Sequence, residues 1–322
     1  MRNRVVVYHG QEMGLYGYEE KPWFQPGRLD VFMAEFRKRG LDTKTNLRTA
    51  GPASEADLLL FHTQAHIERV RRLCAANEGA LDHGPTFARQ SVETAATHMV
   101  GAVMDAARGI LAGEFTKAFV PIAGFHHAHA GEARNYCLYN DCAVALSHLM
   151  QESSDTVAYI DIDAHFGDGV YEAFKSEPRV VMVDIHEDRS TRSSDSPGAG
   201  LFDGNATWTG EGRAKGTKLN IPIKAGAGDE EFLEAWRRAE QFVRSHEPSF
   251  VVFESGVDCL AGDPLANLNV TSSAVRHIAQ RVCGLADEFA EGRLLVLGGG
   301  GYELNNMSQG WCEVVEALVG VR

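Results

Sequence analysis

Four segments of this sequence carry side chains able to do acid–base or metal chemistry, and each follows an apolar run. TVAYIDID at 156–163 passes straight into AHFGDG, so Asp161, Asp163 and His165 follow one another at intervals of two. While strand geometry persists, residues at that interval lie on one face, and two carboxylates with an imidazole there make half of a metal site. Alone, the fragment reads equally well as a solvated strand end running into a helix cap. A further acid tips the balance. FVVFESGVDCLAGDP takes a buried strand to Asp258, and a carboxylate so near a core is costly unless it is paired or metal-bound. Asp163, His165 and Asp258 then offer three protein ligands with a fourth position open, the arrangement of catalytic rather than structural zinc. Asp263, five residues on, reads as a turn residue.

AFVPI at 118–122 leads into AGFHHAHAGEARNYC, with His126 and His127 adjacent in a loop. Such a pair is by itself more often incidental than catalytic. Beside a metal site and two spare carboxylates, Asp161 and Asp168, it becomes an acid–base couple with orienting partners. The other histidines (His9, His62, His66, His83, His98, His129, His148, His186, His246 and His277) read as structural or surface groups. LLVLGGGGYELNN sets four glycines and Tyr302 at another strand end. It lacks the Lys-Ser/Thr pair of a phosphate loop and any dinucleotide fingerprint. Its glycines fit close backbone approach, presenting the Tyr302 hydroxyl to a developing oxyanion.

The elements that must position these residues are legible as alternation. Apolar runs at 5–8, 118–122, 156–163, 180–185, 218–223, 250–255 and 294–298 read as buried strands. Amphipathic stretches at 91–112, 141–150, 229–245, 272–291 and 305–319 read as helices, with Asp229 and Thr271 as caps. The expectation is an α/β fold: a single three-layer domain over 1–322, with a mostly parallel sheet covered by helices on both faces. Ligands of such sheets sit beyond the carboxyl ends of the strands, where the chemical residues fall. The polar, glycine-rich stretch 187–216 reads as a functional loop.

Composition narrows the function. With 322 residues and 44% hydrophobic content the chain can bury a large core. A formal net charge of −13 argues against a nucleic-acid-binding surface and favours, weakly, a cationic or amine-bearing substrate. MRNRVVVYHG is too short in apolar residues for a signal or membrane segment, so a cytoplasmic protein without a membrane partner is expected. Six cysteines without a C-x-x-C pair suggest neither a disulfide framework nor a thiolate metal site.

In order along nearly the whole chain, GFHHAHA, YIDIDAHFGDGV, ESGVDCLAGDPLANLNVT and LGGGGYE resemble the double-histidine, two metal, and tyrosine motifs of the histone deacetylase family, including its bacterial amidohydrolases. The resemblance implies an arginase/deacetylase-like fold and one Zn2+ held by Asp163, His165 and Asp258. It implies Tyr302 as the group polarising the substrate carbonyl, His127 as general base and then acid, and His126 as chiefly electrostatic. Asp161 would orient His126, and Asp168 would orient His127. Arg28 in QPGRLDVF resembles the arginine of an internal acetate channel. A monovalent cation, K+ or Na+, would use backbone oxygens of Asp161, Asp163, His165 and Ile185, with Asp184 where the family usually has serine. A second would use those of Phe174, Glu177, Val180 and Thr217. In the substrate tunnel, Tyr136 matches one aromatic wall but follows Asn135 where glycine is usual, Ser196 replaces the other ring, and Gly300 lies at the base. The implied reaction is hydrolysis of an N-acetyl or other N-acyl amide, with acetyl-lysine or a small acetylated amine, free or in a peptide, as substrate; a homo-oligomer is left open.

Three other readings compete with this one. Acetylpolyamine amidohydrolases often carry a gatekeeper glutamate just after GDP, where this chain has Leu265. An arginase-like ureohydrolase would need a second acid two residues from Asp258, yet Gly256 and Leu260 stand there. A silent acetyl-ligand binding protein would have little use for the complete set of catalytic groups.

Overall fold

A computed structural model describes residues 5–192 and 204–320. In chain order the elements are β1 (Val6–Tyr8), α1 (Arg28–Lys38), β2 (Asn46–Arg48), α2 (Glu55–Leu58), α3 (Gln64–Ala76), α4 (Gln90–Leu111), β3 (Lys117–Val120), α5 (Asp141–Glu152), β4 (Val157–Asp161), α6 (Asp168–Phe174), β5 (Val180–Asp188), β6 (Lys218–Lys224), α7 (Asp229–Arg244), β7 (Phe250–Glu254), α8 (Ser272–Phe289), β8 (Leu294–Leu297) and α9 (Leu304–Leu318). The eight strands form one sheet in the order β2-β1-β3-β8-β7-β4-β5-β6, and every pairing is parallel.

Parallel strands need crossovers, and the helices supply them. α7 packs on α8, α8 on α9 and α9 on α1, while α3 packs on α4, α4 on α5 and α5 on α6. The central strands β4, β7 and β8 are buried along their whole length, which is why they read as continuous apolar runs rather than alternating ones. This gives the expected three-layer α/β fold.

Register matters most at the carboxyl edge. Asp161, the last residue of β4, pairs with Asp184 of β5 on one side and Glu254 of β7 on the other. Three acids thus stand in one row across the middle of the sheet.

Several elements went unread in the sequence. β2 is a three-residue, largely exposed edge strand. α1 follows Pro26-Gly27 and buries Leu29, Phe32, Met33 and Phe36, a periodicity present in the sequence but broken by Arg28 and Asp30. α3 buries His66, Ile67, Val70 and Cys74. Thr271 caps α8 as expected, accepting from the Ala274 N–H. Asp229 instead lies inside α7, whose cap is Gly228, and its carboxylate accepts from the N–H and hydroxyl of Thr271. It ties the start of α7 to the start of α8.

Helix α4 crosses the segment 51–53 at Gly101. A Cβ there would meet the Gly51 carbonyl oxygen at 2.1 Å and the Ala53 nitrogen at 2.8 Å. Propensity alone favours alanine in a helix interior by up to about 1 kcal/mol; backbone overlap reverses the sign. Gly101→Ala should destabilise the fold by about 1–3 kcal/mol, read from urea denaturation midpoints. A stabilised variant would show that the α4 contact yields freely.

Candidate active site

Strand β4 ends at Asp161, and the chain then folds back through a chain of side-chain-to-backbone bonds. The Asp163 N–H donates to Asp161 Oδ1 (3.1 Å), the His165 N–H to Asp163 Oδ1 (2.8 Å) and the Ala164 N–H to Asp258 Oδ1 (2.8 Å). The Gly300 N–H donates to Asp163 Oδ2 (2.9 Å). The expectation that Asp161, Asp163 and His165 share one strand face is therefore corrected: only Asp161 belongs to the strand, and it faces the histidine pair. The convergence itself holds. Side-chain donors of Asp163, His165 and Asp258 lie within 4.8 Å of one another, all buried, with His165 Nδ1 3.0 Å from Asp163 Oδ1 and 2.8 Å from Asp258 Oδ2.

Two glycines make room for these carboxylates. A Cβ on Gly256 would stand 2.4 Å from Asp163 Oδ2, and one on Gly300 would stand 2.5 Å from both Asp163 Oδ2 and Asp258 Oδ2. Electrostatics agree with a cation-seeking cluster. Burial and then the neighbouring Asp163 charge push Asp258 up to about 7. Burial works against a charged His165, as does Arg189, but Asp258 and Asp163 raise it to about 9. Protons and a cation compete for the same negative charge.

The histidine pair is held from below by the start of α5. Asp141 accepts from the Gly124 N–H (3.1 Å) and the Phe125 N–H (2.9 Å). The α5 cap, Asn140, donates to the carbonyls of His126 (3.2 Å) and Ala128 (2.9 Å). So anchored, His126 Nδ1 lies 2.9 Å from Asp161 Oδ2, His127 Nδ1 lies 2.7 Å from Asp168 Oδ1, and the two Nε2 atoms stand 3.2 Å apart. Burial penalises charge on either ring, yet the carboxylates of Asp161 and Asp163 raise His126 to about 10. For His127 burial and the adjacent His126 charge win over Asp168, pulling it down to about 4. The two rings are thus driven in opposite directions.

Tyr302 follows the glycine run. Its N–H donates to Asp263 Oδ2 (2.8 Å), whose other oxygen accepts from the Leu265 N–H (2.9 Å); Asp263 is a turn residue, as read, but it also fixes Tyr302. Phe24 packs edge-on against the Tyr302 ring, centroids 5.5 Å apart, and the buried Arg28 guanidinium lies 5.3 Å from that ring. Arg28 also donates to the Gly299 carbonyl (3.2 Å). A cavity of about 20 Å³, enough for one small group, is lined by His126, His127, Asp163, His165, Gly300 and Tyr302, with Arg28, Phe24, Phe125 and Tyr136 around it. A groove of about 800 Å³ adjoins it and shares His127, His165 and Asn135.

Tyr136 stands where expected, and the backbone explains Asn135. Both lie in the left-handed region, Asn135 at φ 46° and Tyr136 at φ 68°. Asparagine tolerates that region better than other side chains, whereas a bulky residue is strained in it. The strain is held by the Asn135 N–H on Asp82 Oδ2 (3.0 Å), the Tyr136 N–H on Thr86 Oγ1 (2.8 Å) and the Tyr16 hydroxyl on the Tyr136 carbonyl. Leu265 is not among the residues lining the cavity; its carbonyl accepts from Arg192 (3.3 Å). Ser196 and Pro197-Gly198-Ala199-Gly200 lie outside the described residues. Asp184 is buried, with Oδ1 2.6 Å from His186 Nδ1 and Oδ2 accepting from the Gly167 N–H (3.0 Å), and Ile185 is fully buried beside it.

Some functional neighbours were missed in the sequence. Glu254, His126 and Asp161 form a second buried group of convergent donors. Burial, then the Asp161 and Asp163 charges, push the Glu254 carboxyl well above its usual range. The argument that singled out Asp258, a charge ending a buried run, applied equally to it. His129 and Arg134 reach the second oxygen of Asp168 at 3.3 and 2.7 Å, and His186 serves Asp184. Nothing in the spacing marks the contacts to Asp168, whereas Asp184 and His186 lie at an interval of two on β5.

Residues 22–318 match the family profile described as "Histone deacetylase domain". The chain is 30% identical over 331 residues to the acetoin utilization protein AcuC of Bacillus subtilis (strain 168), covering all of this chain and 83% of that one. It is 30% identical over 276 residues to histone deacetylase 8 of Danio rerio, covering 83% and 70%. The crystal structure of a histone deacetylase homologue from Aquifex aeolicus matches with a TM-score of 0.86 at 27% identity, over 99% of this chain and 85% of that one. A homologue complexed with SAHA matches with a TM-score of 0.86 at 26% identity, over 100% and 85%. The chain belongs to the histone deacetylase family.

Removing the Asp263 carboxylate leaves two backbone N–H groups without their acceptor. Asp263→Ala should lower the unfolding free energy by about 1–3 kcal/mol, measured by urea denaturation. Unchanged stability would return Asp263 to the status of an ordinary turn residue.

Proposed function

We propose that the chain is a zinc-dependent deacetylase, one catalytic domain over 1–322 that hydrolyses an N-acetyl or other N-acyl amide to a carboxylate and a free amine. The observation that carries this reading is the divided histidine pair, one ring held cationic and one neutral, facing a three-donor Asp/His/Asp cluster across a cavity that Tyr302 closes. The donor set fits zinc: two carboxylates and one imidazole, with backbone N–H groups orienting both oxygens of Asp163 and Oδ1 of Asp258. Bound there, zinc would supply a Lewis acid for the acyl carbonyl and lower the pKa of water.

The residues divide the remaining work. Neutral His127, its Nδ1 side fixed by Asp168, takes a proton from the attacking water and delivers it to the departing nitrogen. His126, kept charged by Asp161, contributes a fixed positive potential and holds His127 neutral. The Tyr302 hydroxyl donates to the carbonyl oxygen as negative charge develops on it. Water and amide become acetate and amine, with the proton balance closed through His127. Phe24, Phe125 and Tyr136 around the cavity suit an apolar stem such as that of acetyl-lysine. The SAHA complex of a relative supports a small-molecule or peptide substrate. A two-metal ureohydrolase is disfavoured because an acid at position 256 would overlap Asp163. Among the described residues no helix is long and apolar enough to cross a membrane.

Asp258→Ala should lose both zinc and turnover of an acetyl-lysine amide, because a three-ligand site cannot spare a charged ligand. Full metal content with normal turnover would sink the assignment. Tyr302→Phe should keep zinc and fold but lose about a hundredfold in kcat; an unchanged kcat would make Tyr302 a packed aromatic and nothing more.

A further inference from the structure

The second cation site implied by the family resemblance does not fit a free ion in this chain. Two of its four carbonyls point at a side chain instead. Lys218, the first residue of β6 and 1% exposed, donates from Nζ to the Val180 carbonyl (2.5 Å), the Glu177 carbonyl (3.1 Å) and Thr217 Oγ1 (2.8 Å). The other two carbonyls are engaged by the backbone: that of Phe174 accepts from the Glu177 N–H (3.0 Å) and that of Thr217 from the Met182 N–H (3.0 Å).

A buried ammonium ordinarily finds a carboxylate. No carboxylate of the described residues lies within ion-pair distance of Lys218; the Glu177 side chain is turned to Arg179 (3.0 Å). Burial pulls the ammonium down to about 8, so it is still charged at neutral pH. Three neutral oxygens around a dry positive charge form the coordination shell of a monovalent cation, and an ammonium holds oxygens at much the distance a potassium ion does.

We infer that the Lys218 ammonium is the resident cation of this site, a covalently attached substitute for a free monovalent ion. The site lies where the end of α6 meets the starts of β5 and β6, the place at which three segments present carbonyls to one point. Phe174 ends α6 and Asp168 begins it. Lys218 therefore pins the foot of the helix whose head carries the partner of His127, and it acts as a positioning residue that works without ion exchange.

The test is Lys218→Ala, compared with the wild-type protein in KCl and in choline chloride at equal ionic strength, with Tm read in the absence of substrate. In choline the variant should lose about 5 °C or more, and K+ should restore a large part of that loss while adding much less to wild type. Turnover should fall and recover in parallel. A variant as stable as wild type overturns the inference. So does a destabilised variant that neither K+, Na+ nor Rb+ restores, since Lys218 would then be an ordinary buried donor. If the variant does not fold, wild-type crystals soaked in Rb+ decide: an anomalous peak bridging the Glu177 and Val180 carbonyls refutes the substitution, and its absence there supports it.

Discussion

Buried acids crowd the carboxyl edge of the sheet, among them Asp161, Asp163, Asp168, Asp184, Glu254 and Asp258, each no more than 4% exposed. Desolvating that much negative charge is the constraint on which the rest of the structure depends. The compensation differs from place to place, Asp184 for example meeting His186 and the Gly167 N–H. Glu254 is pushed well above its usual range by burial, Asp161 meets the His126 ring, and Asp168 is shared by two histidines and an arginine. Asp163 takes backbone N–H groups on both oxygens and Asp258 on Oδ1, and the two carboxylates converge with His165 on a point that could hold a metal ion. The opposite pulls on the two histidine rings are thus a consequence of where the acids stand.

Topology makes the crowding possible. Strand order puts β4 between β7 and β5, so Glu254, Asp161 and Asp184 come into register although seventy to ninety residues separate them from Glu254. Strand β8 next to β7 brings the glycine run over the same spot, and only glycine at 256 and 300 lets backbone approach the carboxylates this closely. A parallel sheet ends all its strands on one side, which is why residues from four loops can meet.

This explains what could and could not be read in advance. A strand followed at once by Asp, His or Tyr is a local signal, and the seven apolar runs, Asp163, His165, Asp258, His126, His127 and Tyr302 were all visible by it. Contacts between loops leave no such trace. That Asp141 holds the histidine loop, or that Arg134 shares Asp168, depends on which turn of α5 and α6 faces which loop, and neither spacing nor composition encodes it. Glu254 is the instructive failure. It was legible by the same reasoning that found Asp258, but as the penultimate residue of FVVFES it was absorbed into a strand, because the apolar run around it dominated the pattern. The short edge strand β2, by contrast, has no apolar face to announce it, and its strand character comes from pairing with β1 alone.

Two of the buried cations follow a complementary rule, whereas a third, Arg192, is paired with the Glu187 carboxylate. Arg28 and Lys218 lie on carbonyl oxygens rather than carboxylates, although the chain carries an excess of acids. A carboxylate near Arg28 would cancel the positive charge on the rim of the cavity, and one near Lys218 would draw the ammonium away from the backbone it joins. Carbonyl dipoles stabilise the charge without neutralising it. Arg28 therefore stays a positive group beside the cavity with the Asp263, Asp258 and Asp163 charges acting on it without direct contact, and Lys218 a fixed one past the end of α6. In both places the fold keeps a cation whose field still acts on its neighbours, which an ion pair would have extinguished.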